Sequence, residues 1–338
     1  MKKRISLNDV AKHLGVSTAL VSYVLNNKAE EKRVGKDIAE RIRIAAEELN
    51  YRPNHIAKSL KTNKTHTIGL VVADIKYHFT TVITHAIEAE AKKNNYTVIF
   101  GSSHEDSIKF DELVGVFIDR QVDGLILIAV EGSEQQIKNL IKSEIPFVLV
   151  DRYFPDINTN HILLDNYKAA YNCVDYLAKK GFKNIGFINY KTSLFHLQER
   201  NRGYAAALRD NNLPTNPGWE KVIRENYLME DISTSIQELT SAPLSCDAIF
   251  FATDTLAVNG LKYINHLKLK VPEDIGVISF DSAEAFELFN CTITHAKQPM
   301  DNMGKMAVST LMDIMDNRNV NRQVFLESEI VEGESCGE

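Results

Sequence analysis

The sequence predicts an N-terminal three-helix head containing a helix-turn-helix, followed by an α/β core of two doubly wound parallel-sheet lobes. Three observations predict it. Apolar residues recur at helical spacing over residues 6–49, then give way from Thr67 onward to short continuous apolar runs alternating with helix-like segments. A chain of 338 residues exceeds one ordinary domain. Residues 1–64 hold 14 Lys and Arg against 7 Asp and Glu, a net of +7, which leaves −13 for the rest of a chain whose total is −6. A basic head on an acidic body predicts that only the head faces a polyanion.

In the head, Ser6 with Asp9 three residues on reads as a helix cap. Val10, Ala11 and Leu14 form an apolar stripe, Gly15 breaks the helix and Ser17 can cap the next. Leu20, Val21, Val24 and Leu25 give the second helix its buried side. Two short helices about a glycine turn make a helix-turn-helix. A third helix near Asp37–Leu49 supplies Ile38, Ile42, Ala45, Ala46 and Leu49. Pro53 stops it, Asn54 can cap a short stretch through Leu60, and Lys61–His66 reads as a linker.

The core strands are read at Ile68–Ala73, Tyr96–Gly101, Gly124–Ala129, Phe147–Val150, His161–Leu164, Asn184–Ile188, Ala248–Ala252 and Gly276–Phe280. Thr80–Lys93, Lys168–Lys180 and Leu256–His266 are among the helical segments between them. Continuous apolar runs suit strands buried on both faces, and alternation with helices suits parallel sheets. So many units exceed one sheet, so two lobes are expected, with a boundary near Asp165. The chain end, GESCGE, reads as disordered.

Several function classes are disfavoured. No stretch approaches the ~18 apolar residues of a transmembrane helix, and the basic start has no apolar segment behind it, so no membrane and a cytoplasmic location are expected. Cys173, Cys246, Cys291 and Cys336 are scattered, without metal or disulfide spacing, and the lone histidines lack ligand spacing. There is no G-x-G-x-x-G or G-x-x-x-x-G-K-[ST] phosphate-binding motif, so neither an enzyme nor a cofactor is expected.

The stretch ISLNDVAKHLGVSTALVSYVLNN with ELNYRPNHIAKSL resembles the LacI/GalR family of bacterial repressors. IGLVVADI, VDGLILI, PFVLVDR, GFKNIGFI, ERNRGY, ATDTLAVNGL, VPEDIGVISFD and KQPMDNMG extend the resemblance over nearly the whole chain. It implies a helix-turn-helix domain (1–52), a hinge helix and linker (53–66), and a periplasmic-binding-protein-like core. The core lobes would comprise 67–165 plus 296–320 and 166–295 plus 321–332, joined by three crossing segments. It also implies a homodimer on a pseudo-palindromic operator DNA, with a small effector between the lobes.

In such a head the second helix enters the major groove and its early residues meet base edges. Ser17, Thr18 and Ala19 hold those positions, with Tyr23 further along. Many family members carry arginine where this chain has Tyr23, so the bidentate contact to guanine is replaced by a phenol bond or a thymine contact. Ser22 and Asn26 are phosphate-contact or capping candidates. By the resemblance, Leu60 would wedge into the central base step and Ala57 would let the backbone approach the minor groove; packing of Leu60 in the core is the plain alternative.

Open parallel sheets bind ligands beyond the carboxyl ends of their strands. That rule nominates Asp74, Tyr77, Phe79, Asp151, Arg152, His196, Arg200, Thr253, Asp254 and Asp281. In the resembling family Arg200 matches a ligand-binding arginine, and Tyr227 falls where an aromatic is common. Carboxylates, arginines and rings together suit a polyhydroxylated ligand, a sugar or sugar derivative. Each residue has a plainer role open to it: Asp74 and Asp151 could cap helices, Arg152 could bridge the lobes, and Tyr77 could be merely exposed. An exported sugar-binding protein lacks such a head. A protein effector in place of the sugar also stays open.

Overall fold

The computed structural model describes residues 5–52, 64–318 and 320–337. The chain divides into two compact units, Met1–Thr65 and His66–Glu338.

In the first unit, α1 (Leu7–Leu14) opens on a reciprocal cap. The Asp9 amide donates to Ser6 Oγ at 3.3 Å, and the Ser6 amide donates to Asp9 Oδ2 at 2.8 Å. Gly15 ends the helix in the left-handed region, at φ 67°, where a side chain would be strained. α2 (Thr18–Leu25) is capped by Ser17, and α3 spans Lys36–Glu48. Val10, Ala11, Val21, Val24, Ala39, Ile42 and Ala46 close a small core among the three helices.

The second unit holds two six-stranded sheets. The first contains β1 (Thr67–Val72), β2 (Thr97–Ser102), β3 (Gly124–Leu127), β4 (Phe147–Val150), β5 (His161–Leu164) and β11 (Gln323–Leu326), all parallel, in the order β11-β5-β4-β3-β1-β2. The second contains β6 (Ile185–Tyr190), β7 (Glu220–Ile223), β8 (Ala248–Phe251), β9 (Gly276–Phe280), β10 (Thr294–Lys297) and β12 (Glu329–Val331). Its order is β12-β10-β9-β8-β6-β7, with only β12 antiparallel. β3, β4, β5, β8 and β9 are buried along their whole length, as apolar strands covered by helices on both faces must be.

The two sheets share one winding. In each, the first strand has its successor on one side and the next strand on the other, β2-β1-β3 and β7-β6-β8. The order in which strands are laid down reverses there, and the crevice outside those strands is where open α/β sheets take ligands.

Three segments cross between lobes: at Asp165, at Gln298–Pro299, and at Glu327–Ser328. The helix Met300–Met315 returns to the first lobe and packs on the helix His78–Lys93 and on β3, β4 and β5. Two expectations are corrected. The span 321–332 does not lie wholly in the second lobe, because β11 pairs with β5: Gln323 faces His161 and Leu326 faces Leu164. Val324 and Leu326 pack against the first core while Phe325 is half-exposed, an edge pattern too short to announce its sheet. The GESCGE end is ordered over residues 333–337. Ser335 and Cys336 are buried, and Ser335 Oγ donates to Val277 O at 2.6 Å and accepts the Thr294 amide at 2.8 Å. Among the described residues no helix is long and apolar enough to cross a membrane.

Candidate functional site

Two surfaces carry the chemistry, one in each unit. On the head, the second helix buries Val21 and Val24 and leaves Thr18, Ala19 and Tyr23 exposed. Ala19 and Tyr23 sit four residues apart, so they share one face on successive turns. Lys32 Nζ lies 5.9 Å from the Tyr23 ring. Lys12, Lys28, Lys32, Arg33, Lys36, Arg41 and Arg43 are all exposed. Two of the nominated residues are occupied within the head. Ser17 Oγ accepts the Leu20 amide at 3.2 Å, and Asn26 Nδ2 donates to Ser22 O at 2.8 Å at the end of the same helix. Ala57 and Leu60 lie outside the described residues.

Between the core lobes lies a cavity of about 220 Å³, walled by residues that follow the strands of both sheets. It gathers Tyr77, Phe79, Asp151, Arg152, His196, Arg200, Thr253 and Asp281. Asp74 and Tyr227 are not among its walls, which corrects both expectations. Asp74 closes its own turn instead, accepting the Lys76 amide at 3.0 Å and pairing with Lys76 Nζ at 3.3 Å. Tyr227 is half-exposed under the Arg224 guanidinium, 4.3 Å from its ring centroid. From the same turn Glu225 reaches the cavity in its place.

Arg200 is the organising cation. It lies in the helix Phe195–Asp210 and is only 3% exposed. Nε donates to Asn166 Oδ1 at 2.9 Å, Nη1 donates to Ala252 O at 2.5 Å, and the guanidinium carbon stands 3.4 Å from the Phe280 ring centroid. Neither bond uses Nη2. One turn on, Gly203 explains how the helix gets so close to its neighbour: a Cβ there would fall 2.2 Å from the Tyr167 carbonyl oxygen.

Asp151 and Asp281 end β4 and β9, and both have left-handed backbones, at φ 66° and 65°. That conformation is costly for a residue with a side chain and clusters at functional sites. Burial pushes both carboxyls up, with Arg200 opposing, and Asp281 reaches about 7. Burial also raises Asp254 in the same wall. His196 is held neutral, first by burial and then by Arg152 and Arg200. Arg152 does not bridge the lobes. It forms a two-point pair with Glu105 of its own lobe, at 2.8 and 2.9 Å; burial works against its charge, and Glu105 with Asp151 and Tyr77 together more than offset it.

The cavity is polar but incompletely bonded. Asp281 Oδ1, Gln298 Oε1, His196 Nδ1 and Arg152 Nε are buried without a hydrogen-bond partner among the described residues, and all four residues line it. Buried polar atoms left this way mark a place that a ligand or water completes. Phe79, Leu194 and Leu197 supply apolar wall. Across the mouth the lobes are tied twice. Glu225 accepts from Lys76 Nζ at 2.8 Å and from the Tyr77 hydroxyl at 3.1 Å, while Glu131 accepts from Thr192 Oγ1 at 3.0 Å, the Ser193 amide at 3.2 Å and Ser193 Oγ. No group of three or more His, Cys, Asp or Glu side chains that could hold a metal ion is found among the described residues.

Sequence reasoning missed Glu105, Glu131, Tyr190, Glu225 and Gln298. Glu105 and Glu131 follow β2 and β3, so the rule of strand carboxyl ends applied to every strand would have found them. Glu225 follows β7, an edge strand that gives no apolar run.

Asp281 makes a pH prediction. Its folded carboxyl titrates near 7, against an ordinary value of 3.8. The folded chain therefore keeps a proton that the unfolded chain has released, and its stability falls as pH rises through that window. Asp281→Asn is expected to remove this dependence. Relative to the parent, the variant gains stability between pH 5 and pH 8, by roughly 3 kcal/mol at most, because the extra proton is held over about two pH units of that window, at about 1.4 kcal/mol each. Thermal melts of both proteins at the two pH values check it; parallel shifts would contradict it.

Comparison with known proteins gives a consistent result. Residues 6–54 match the family described as bacterial regulatory proteins, lacI family, and residues 174–336 match the periplasmic binding protein-like domain. The chain is 31% identical over 325 residues to the helix-turn-helix-type transcriptional regulator EndR of Paenibacillus polymyxa, covering 95% of this chain and 94% of that one. It is 30% identical to the ribose operon repressor of Haemophilus influenzae, covering 98% of each. The lac repressor dimer bound to operator and the anti-inducer ONPF shares the fold, with TM-score 0.86, 20% identity, and coverage of 99% of this chain and all (100%) of that one.

Proposed function

This chain belongs to the lacI family of bacterial regulatory proteins, and from that premise we propose that it is a cytoplasmic, homodimeric repressor whose operator affinity is set by a neutral sugar in the core cleft. It acts by binding and carries no catalytic step of its own. The head supplies a positive surface around the exposed residues Thr18, Ala19 and Tyr23. Two heads on a twofold dimer ask for a pseudo-palindromic operator. Ala57 and Leu60 are assigned to the minor groove, where an apolar wedge kinks the duplex.

The observation that carries the effector class is the set of unpaired buried atoms around Arg200 and Asp281. Adjacent sugar hydroxyls can donate to a carboxylate and accept from a guanidinium, and ring faces can lie on Phe79 and Tyr77. The cavity walls hold six carboxylates (Glu105, Glu131, Asp151, Glu225, Asp254, Asp281) against three cations (Arg152, Lys191, Arg200). That excess repels anions and favours an uncharged ligand. A cleft of this size, walled by both lobes, also favours a small molecule over a protein effector. The similarity to the ribose operon repressor of Haemophilus influenzae points the same way.

A melting screen tests it. At millimolar concentration some neutral sugars are expected to raise Tm by several degrees through mass action, while their phosphate esters and aldonates leave it unchanged. A set of sugars that all leave Tm unchanged, or preferential stabilisation by the anionic forms, would refute the effector assignment.

A further inference from the structure

The cleft does not end at His196. Beyond it a second chamber of about 510 Å³ opens, and it shares Glu131, Arg152, Leu194 and His196 with the first. Alone, the first chamber is smaller than the ~300–1,000 Å³ usual for small-molecule sites. The second is walled on its far side by Tyr153, Phe154 and Phe195, with Lys138 at its edge. Tyr153 belongs to the first lobe and Phe195 to the second, and their rings meet edge to face at 5.4 Å.

The shared wall is where polar atoms remain unanswered. His196 is 91% buried, with no partner for Nδ1. Arg152 Nε, 3.6 Å from Asp151 Oδ2, makes no hydrogen bond. A neutral imidazole offers one donor and one acceptor nitrogen. Ring oxygens and hydroxyls on either side of a glycosidic linkage could meet both, and aromatic walls suit the apolar face of a second ring.

We propose that the effector is a saccharide of at least two rings, held with one ring in the Arg200–Asp281 chamber and the next beyond His196 against Phe154 and Tyr153. The proposal rests on the sugar reading above and deepens it. A ligand placed so touches both lobes in both chambers, and its length, not only its first ring, would decide recognition.

Calorimetry on the full chain tests it with matched neutral probes: glucose with cellobiose and maltose, galactose with lactose, xylose with xylobiose. At least one disaccharide is expected to bind ten-fold or more tightly than either of its component monosaccharides. Phe154→Ala and the exposed-site variant Lys138→Ala are expected to weaken that disaccharide about ten-fold and leave monosaccharide affinity unchanged. A monosaccharide binding as tightly as every disaccharide that contains it overturns the proposal while leaving the sugar reading intact. So does an equal effect of both variants on sugars of both lengths. Failure of every sugar to bind overturns the two together.

Discussion

Replacing Arg200 with alanine is expected to abolish the response to effector and to destabilise the core by about 3–5 kcal/mol, the cost of removing one partner from a buried charge cluster. The argument starts from burial. Arg200 is almost fully enclosed and is held by Asn166, the Ala252 carbonyl and the Phe280 ring. It opposes the upward push of burial on Asp151, Asp254 and Asp281. Without it Asp281 loses its counter-cation, Asp151 keeps only Arg152, and the Asn166 and Ala252 acceptors lose a donor. The loss therefore deepens with pH, because toward low pH the acids, Asp281 among them, take up protons and their repulsion fades. The double variant Arg200→Ala, Asp281→Asn is expected to recover part of the stability but none of the sugar binding. Melts at pH 5 and pH 8 with calorimetry check this. A variant that melts like the parent at pH 8 would show that Arg200 does not hold the cluster together.

How much of this was legible in the sequence follows from how each signal arises. The fully buried strands announced themselves as unbroken apolar runs, as VLV in Phe147–Val150 and IFF in Ala248–Phe251 do. The edge strands Glu220–Ile223 and Glu329–Val331, and Thr294–Lys297 next to the edge, are short and carry charged or polar residues, so they gave no run to read. The cavity was legible where a residue directly follows a strand, as Asp151 and Asp281 do. It was not legible where a turn decides between neighbours. Asp74 against Phe79, and Tyr227 against Glu225, are choices made by local hydrogen bonds and stacking that no spacing encodes. The third crossing was misplaced for a similar reason, since β11 has four residues and its partner lies far back in the chain.

Shortening the chain to residues 66–338 is expected to lower operator affinity by at least three orders of magnitude, the usual gap between specific and non-specific binding. The core and its sugar binding should survive. The two units have separate hydrophobic cores, one around Val21 and Ile42, the others around the two sheets, so the core does not need the head to bury its apolar surface. The segment removed carries the net positive charge, and what remains is at −13, which repels a polyanion. The steep fall of affinity with salt, one counterion set per phosphate contact, should vanish with the head. Anisotropy titrations between 50 and 200 mM salt, as suggested by that relation, read both quantities. Tight, salt-sensitive binding by the shortened chain would place the DNA-reading surface elsewhere.

Coupling of the two units is the claim on which the account stands. An operator can be recovered by selecting random duplexes on the intact protein, and its affinity then measured with and without a sugar that calorimetry shows to be bound. The account predicts a change of roughly 5- to 150-fold, with the operator altering sugar affinity by the same factor. Identical operator affinity for the sugar-free and sugar-saturated protein would contradict it.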